Sequence, residues 1–371
     1  MNLNYHKMKF LRLAFYVLIA QLVLSGCAGE GVEETSSSSS SEINFDAYVG
    51  RNASTRLGIN DLDSLQSNNR WNSGFGVFAR YNNIHLMDDE HVFWQGDHWG
   101  YEHTRYWPSE GSVDFYAFAP WIPSLNLVNK PESNEANPTY IDFPSTLSPV
   151  DLLWAKAENQ TKDNISSTNG KVKFQFKHAT ARLGLDITAN KELLKDGAVI
   201  TVEEVNLFGH GKDDYVGVFD MEGFLNLKTG EWYVVPNKDT RWYYAWTPTG
   251  KVGNDDEEKY DPSKGTVLKL SASQLDHTNN IITNDRNSYI FIVPQTKNEP
   301  FYLKITYTVR QGDFEEKVTV RKNLLDVLQP GVPNQSFTFV GGKAYVFHLK
   351  LLDPINFSVT ADVNPWGRDD Q

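Results

Sequence analysis

Alternation with a period of two runs through this chain more persistently than any other pattern, and it restricts the fold to sheets with half-buried faces. Ile43, Phe45, Ala47 and Val49 alternate with polar residues. So do Phe75, Val77 and Ala79, then Val113, Phe115, Ala117 and Ala119, then Val172, Phe174 and Phe176. Further along come Ile200, Val202 and Val205, with a slip of one residue, and then residues 289–293, 301–307 and 345–349. These runs are rich in the aromatic and β-branched types that suit a pleated surface. Turn residues separate them: Asn169-Gly170, residues 211–214, Thr229-Gly230 and Pro330-Gly331. Helical patterning is confined to residues 191–195 and 322–328. Strand after strand with so few crossover helices predicts an all-β chain of antiparallel sandwiches. With 371 residues, about two domains are expected. The polar break at 190–197 sets them at 43–195 and 196–371, with the loop at 160–170 as the competing divide. No internal repeat is strong enough to name.

The N-terminus belongs to another category. Lys7, Lys9 and Arg12 form a basic region ahead of an apolar run at residues 13–24. Twelve residues at ~1.5 Å each fall short of a ~30 Å hydrocarbon core, so residues 1–26 read as a signal peptide. The run ends in Leu24-Ser25-Gly26-Cys27, which resembles a bacterial lipobox. Cys27 is the single cysteine of the chain, at the one position where thiol acylation requires it. A lipid on Cys27 implies outer-membrane lipid as a partner. Residues 27–42 are a tether containing Glu30, Glu33, Glu34 and a run of serines at 36–41, a composition that stays extended and flexible. Acidic residues just behind the acylated cysteine resemble the surface-export signal of Bacteroidetes lipoproteins.

Charge and motif content narrow the function. The formal net charge is −12, and no cluster of Lys and Arg appears, which disfavours nucleic acid as a partner. There is no His-Glu-x-x-His, no Gly-x-Ser-x-Gly, no Walker loop and no Gly-x-Gly-x-x-Gly, so neither a catalytic centre nor a cofactor site is expected. A lone cysteine rules out a disulfide framework. His98 and His103, with Asp97 and Glu102 beside them, match no metal spacing. Residues 255–258 are acidic without the alternation of a calcium loop. Trp94, Trp99, Trp107 and Trp121 crowd one stretch with Tyr101 and Tyr106. They read as core packing beside the strand at Val113. A surface sugar platform, and with it a glycan-binding lipoprotein, is the alternative.

Several short motifs, in order, carry a resemblance over nearly the whole mature chain. They are Ile43-x-Phe45 with Thr55-Arg56; Arg105-Tyr106-Trp107-Pro108 followed by the run from Val113 to Pro120; and Asp151-Leu152-Leu153-Trp154-Ala155. Then come Phe176-Lys177-His178-Ala179 with Arg182-Leu183, Ile292-Val293-Pro294-Gln295, Tyr345-x-Phe347-x-Leu349, Ile355-x-Phe357-x-Val359 and Trp366. In these the chain resembles the fimbrillin family of Bacteroidetes, the lipoprotein-derived pilins of the Mfa-like and major fimbrial types. The resemblance implies two transthyretin-like sandwiches in tandem and a fimbrial subunit or adhesin rather than an enzyme. It also implies an arginine-specific or trypsin-like protease that cuts after the first strand. That strand leaves, and a strand of another pilin subunit fills its groove. Carried onto this chain, the scissile bond is Arg56–Leu57, with Arg51 and Arg70 as fallbacks. The candidate donor is Ile355, Phe357, Val359, Ala361 and Val363, which serve equally as the permanent last strand of the second sandwich. Five residues follow Trp366, so no separate C-terminal extension is expected. Stalk, tip and anchor roles stay open, and no motif names a surface ligand.

Overall fold

The computed structural model describes residues 42–49, 62–67, 73–82, 84–123, 125–129, 139–143, 150–209, 217–236, 241, 243–249, 253–254, 269–275, 281–284, 290–332, 335–353 and 356–365. Cys27, Arg56, Leu57 and Ile355 lie outside them. The first strands are β1 (Asn44–Val49), β2 (Phe75–Tyr81), β3 (Ile84–Trp94), β4 (Trp99–Gly100), β5 (Val113–Ala119), β6 (Leu127–Val128), β7 (Tyr140–Phe143), β8 (Leu153–Gln160) and β9 (Lys171–His178). Helix α1 (Leu62–Leu65) lies between β1 and β2. Seven strands close into a barrel in the order β1-β4-β3-β2-β5-β8-β9. An antiparallel sandwich was the expectation; the seam here is parallel, running from Asn44 opposite Lys171 to Val49 opposite Phe176. Side-chain alternation is the same in parallel and antiparallel strands, so the sequence pattern carries no information on direction.

The barrel interior is filled by the alternating residues: Ile43, Phe45, Phe75, Val77, Val113, Phe115, Val172, Phe174 and Phe176 are buried together. β2 and β5 are buried on their outer faces too, where Phe78, Tyr116 and Phe118 form a separate core with Trp154 of β8. What covers them includes residues of a four-stranded sheet, β6 and β7 with β12 (Gly223–Asn226) and β13 (Trp232–Val234). This small sheet joins residues far apart in sequence, with Gly223 opposite Phe143.

The later strands are β10 (Ala181–Ala189), β11 (Val199–Gly209), β14 (Tyr243–Thr249), β15 (Gly253–Asn254), β16 (Lys269–Leu275), β17 (Ile281–Asn284), β18 (Ile290–Ile292), β19 (Thr296–Lys297), β20 (Phe301–Gln311), β21 (Phe314–Asn323), β22 (Phe337–Thr338), β23 (Lys343–Asp353) and β24 (Asn356–Pro365). One sheet has the order β15-β10-β23-β24, with β18 also on β10; another has the order β17-β16-β14-β11-β20-β21. Leu183, Leu185 and Ile187 of the first share a core with Val205, Leu207, Ile305 and Tyr307 of the second. The slip in the pattern after Val202 is a β-bulge: Val202 faces Tyr307, Glu204 faces Thr306, and Glu203 is the extra residue.

Phe176 is the last residue in the barrel core and Ala181 the first in the later core, so β10, which precedes the polar break at 190–197, packs in the later core. Residues 191–194 form a turn and Lys195–Gly197 a 3-10 turn between β10 and β11, not the expected short helix. Leu193 and Leu194 pack there against the core, so this polar segment is a corner inside the later half. The second expected helix is present as α2 (Leu324–Leu328), and the Asn323 side chain accepts a hydrogen bond from the Leu325 amide at its start.

Candidate assembly site

β1 is the stave that closes the barrel, and its two flanks are held unequally. Toward β9 it pairs along its whole length. Toward β4 it pairs only at Phe45, opposite Trp99. Beyond that pair, the Ile43 amide donates to the Arg105 carbonyl at 2.8 Å, and Glu42 forms an isolated bridge with Tyr106. The Tyr101 hydroxyl donates to the Ile43 carbonyl at 2.7 Å. Burial pushes the Tyr101 phenol above its ordinary pKa, which keeps that donor protonated. Arg105 is itself anchored, Nε donating to the Leu86 carbonyl and Nη1 to the His103 carbonyl.

The inward face of β1 is apolar and deeply set. Ile43 is 0% exposed, Phe45 1% and Ala47 7%. Phe45 sits in an aromatic cage: its ring is stacked 5.7 Å from Phe174, meets Phe115 edge-on at 5.8 Å, and lies 5.6 Å from Tyr101. Burying Ile43 and Phe45 stabilises the closed barrel by ~1.5–3 kcal/mol each. Were β1 absent, the β9 edge would carry unpaired main-chain groups beside an aromatic groove, the kind of edge to which strands add.

The other sequence candidates fall in different places. The expected cleavage point, Arg56–Leu57, lies outside the described residues. The candidate donor run is β24, the outermost strand of its sheet, paired with β23 from Lys343 opposite Pro365 to Asp353 opposite Asn356. Phe357 and Val359 are buried, Ala361 is half-buried, and Val363 is 46% exposed. In this chain the run therefore occupies the last-strand position of the later core.

The tryptophan-rich stretch is packed rather than displayed. Trp99 and Trp107 are buried in the barrel, Trp94 and Tyr101 lean on its core, and Trp121 stacks on His91 at 3.9 Å. Tyr106 alone of this group is 56% exposed. A sugar platform built on Trp94 or Trp99 loses its rings to the core. His98 bonds Asp97 and His103 bonds Glu90; among the described residues no three metal-ligating side chains converge.

Two of the motifs are internal ties. Asp151 is fully buried and accepts from Nδ1 of His178 at 2.7 Å, at the exit of the barrel. Gln295 donates to the Asp220 and Val293 carbonyls and accepts from the Asp220 amide, while Arg241 grips the Asp220 carboxylate through Nε and Nη2. Tyr101 and Arg105 hold β1 although no motif marks them for it. Their signal was their place in the aromatic stretch, but nothing local links them to a strand more than fifty residues earlier.

An all-β chain whose barrel is closed by its own first strand is the class this geometry defines. The chain belongs to the Fimbrillin-like family, whose pattern matches residues 65–366. It is 21% identical over 397 residues to the fimbrium subunit Fim1C of Phocaeicola vulgatus, covering 95% of this chain and 96% of that one. It is similar in fold to a fimbrial protein from Bacteroides vulgatus, with a TM-score of 0.53 at 15% identity, over 88% of this chain and 99% of that one.

Proposed function

We propose that this chain is a surface fimbrial subunit or adhesin, matured from a lipoprotein precursor and assembled by strand replacement. The precursor is acylated at Cys27, reaches the outer surface of the cell and is held in the outer membrane by lipid. A trypsin-like or arginine-specific protease cuts Arg56–Leu57, β1 departs, and a strand from a neighbouring pilin subunit takes its place. The two tandem units implied by the family resemblance then divide the labour, the barrel as acceptor and the later half as donor through Phe357, Val359, Ala361, Val363 and the preceding Ile355. The protein carries no catalytic activity in this reading.

The single observation behind it is the asymmetry of β1. Its apolar face is fully committed to the barrel, but only one of its flanks carries a continuous ladder. Such a strand keeps the precursor closed and leaves a well-shaped slot when removed. Brief trypsin treatment of the purified full chain tests this: one cut yielding Leu57 as the new first residue, followed by an SDS-resistant ladder of subunits, is the expected result. A chain that stays uncut and monomeric under the same treatment overturns it.

A further inference from the structure

The last strand repeats the first. Ile355-Asn356-Phe357 is the tripeptide Ile43-Asn44-Phe45, and the likeness continues in the side chains that alternate with polar residues. The inward set of β1 is Ile43, Phe45, Ala47 and Val49; the corresponding set is Ile355, Phe357, Val359 and Ala361. The two sets have the same composition, with Ala and Val exchanged, so the summed volume offered to the groove is unchanged. Resting on the strand-replacement reading above, we propose that β24 of a second copy of this chain fills the β1 slot in a single register. In it the strand lies parallel to β9, and Phe357 takes the seat of Phe45.

Pocket size selects this register. The Phe45 seat is bounded by Phe115, Phe174 and Tyr101, and only an aromatic ring fills it. Moving β24 by two residues one way puts Val359 there and leaves a void. Moving it two the other way drives Phe357 into the place of Ala47, a buried methyl group that a valine exceeds by two carbons and a phenyl ring by six. A shift of one turns the apolar face outward and is excluded by the pleat. Charge agrees with the choice. β9 presents Lys171, Lys173 and Lys177 on its outward side, and in β1 Asp46 lies opposite Lys173. Continued one residue past the Val49 position, the proposed register sets Asp362 beside Lys177.

The exchange moves the donor from one sheet to another. In its own sheet β24 pairs along one flank only, against β23. In the slot it exchanges that ladder for the shorter one to β9 and the contact to β4 on its other flank, and Phe357 and Val359 leave the later core for the barrel core. An identical second copy supplies both the strand and the slot, so this register makes the chain complementary to itself.

Disulfide trapping tests the proposal on the trypsin-processed full chain carrying Cys27→Ser. With Lys173→Cys and Ser358→Cys together, oxidation is expected to give a covalent ladder, with residues 173 and 358 joined between subunits in the peptide mass map. With Lys173→Cys and Thr360→Cys the ladder forms without that covalent link. A ladder linked through 360, or one in which 173 and 358 never join, overturns the register while strand replacement stands. Absence of any ladder in the processed parent chain removes strand replacement and this proposal with it. Because Phe357→Ala in the chain itself disturbs the later core, the aromatic seat is tested with free peptide. A peptide of residues 353–363 is expected to block ladder growth, and the same peptide with Phe357→Ala to need at least tenfold more. Equal potency of the two overturns the Phe357 assignment.

Discussion

Tyr101 contributes one hydrogen bond to β1, yet that bond sits where the weaker flank begins. Tyr101→Phe keeps the ring against Phe45 and leaves the Ile43 carbonyl without its partner. A net loss of about 0.5–1.5 kcal/mol is expected, since a neutral hydrogen bond is worth that much. Hydrogen exchange at residues 43–49 should then run up to about tenfold faster, with the rest of the barrel unchanged. His91 is the other residue whose chemistry reaches the whole protein. It lies flat on Trp121, and Nε2 must carry the proton, because its partner is the Ser73 carbonyl. Burial lowers its pKa below the ordinary 6.5, with the Ser73 bond and the charges of Glu102 and Glu90 opposing the shift without cancelling it. The unfolded chain therefore binds this proton more readily than the folded one. The stability contributed by neutral His91 is complete above that ordinary value and is lost as pH falls through it toward the folded value. Thermal melts between pH 7.5 and 5 should show a shallower decline for His91→Gln than for the parent; equal slopes would assign the acid sensitivity elsewhere.

At the scale of elements, the two long edges of the later half contrast sharply. β21 carries Glu315, Glu316, Lys317, Arg321 and Lys322, the kind of charged edge that resists pairing with another chain. β24 carries one charge, Asp362, which faces Nε2 of His348 at 3.2 Å while Nδ1 of that ring meets Asp186 at 2.6 Å. The edge that strand replacement needs free is the one without charged guards. Hydrogen exchange should rank these strands accordingly, β23 last because β10 and β24 flank it, and β24 early along its outer side. Slow exchange throughout β24 would mean a strand too well fixed to leave. Most strands were legible because one face of each is buried and the period shows through. β3 was not, since Asp88, Asp89 and Glu90 interrupt its alternation; Asp88 pairs with the buried Arg80, and Asp89 takes a positive φ of 48°. Residues 190–197 form a corner between two sheets of one core, which is as polar as a linker and is not told from one by composition. The apolar face of β1 was legible, but its partners across the barrel were not, because periodicity records which side faces inward and not what lies opposite.

In the whole molecule, β1 belongs to one core and its candidate replacement to the other, so loss of the first strand should be felt unevenly. Phe45→Ala removes a ring from the cage of Phe115, Phe174 and Tyr101. The expected cost is about 3–5 kcal/mol, the range for truncating a buried phenylalanine in a core that relaxes incompletely. Protection against hydrogen exchange should fall most in β9 and β5, which line the cage. It should fall less in β11 and β20, whose side chains pack in the later core with β10 and β23. The decoupling has a limit, because β12 and β13 come from the later half of the chain, β12 pairing onto β7 beside the barrel and β13 onto β12. That sheet shares a core with Phe78, Phe118 and Trp154, and the Trp232 indole donates to the Ala179 carbonyl at the junction. A gradient is therefore predicted: deepest loss along the β1–β9 seam, intermediate in β7 and β12, and least in β11 and β20. Uniform loss across all three would make the chain a single cooperative unit, in which removing β1 endangers the donor strand along with the slot. The graded result instead leaves β24 folded and available while the barrel stands open, the condition under which a subunit can wait for its neighbour.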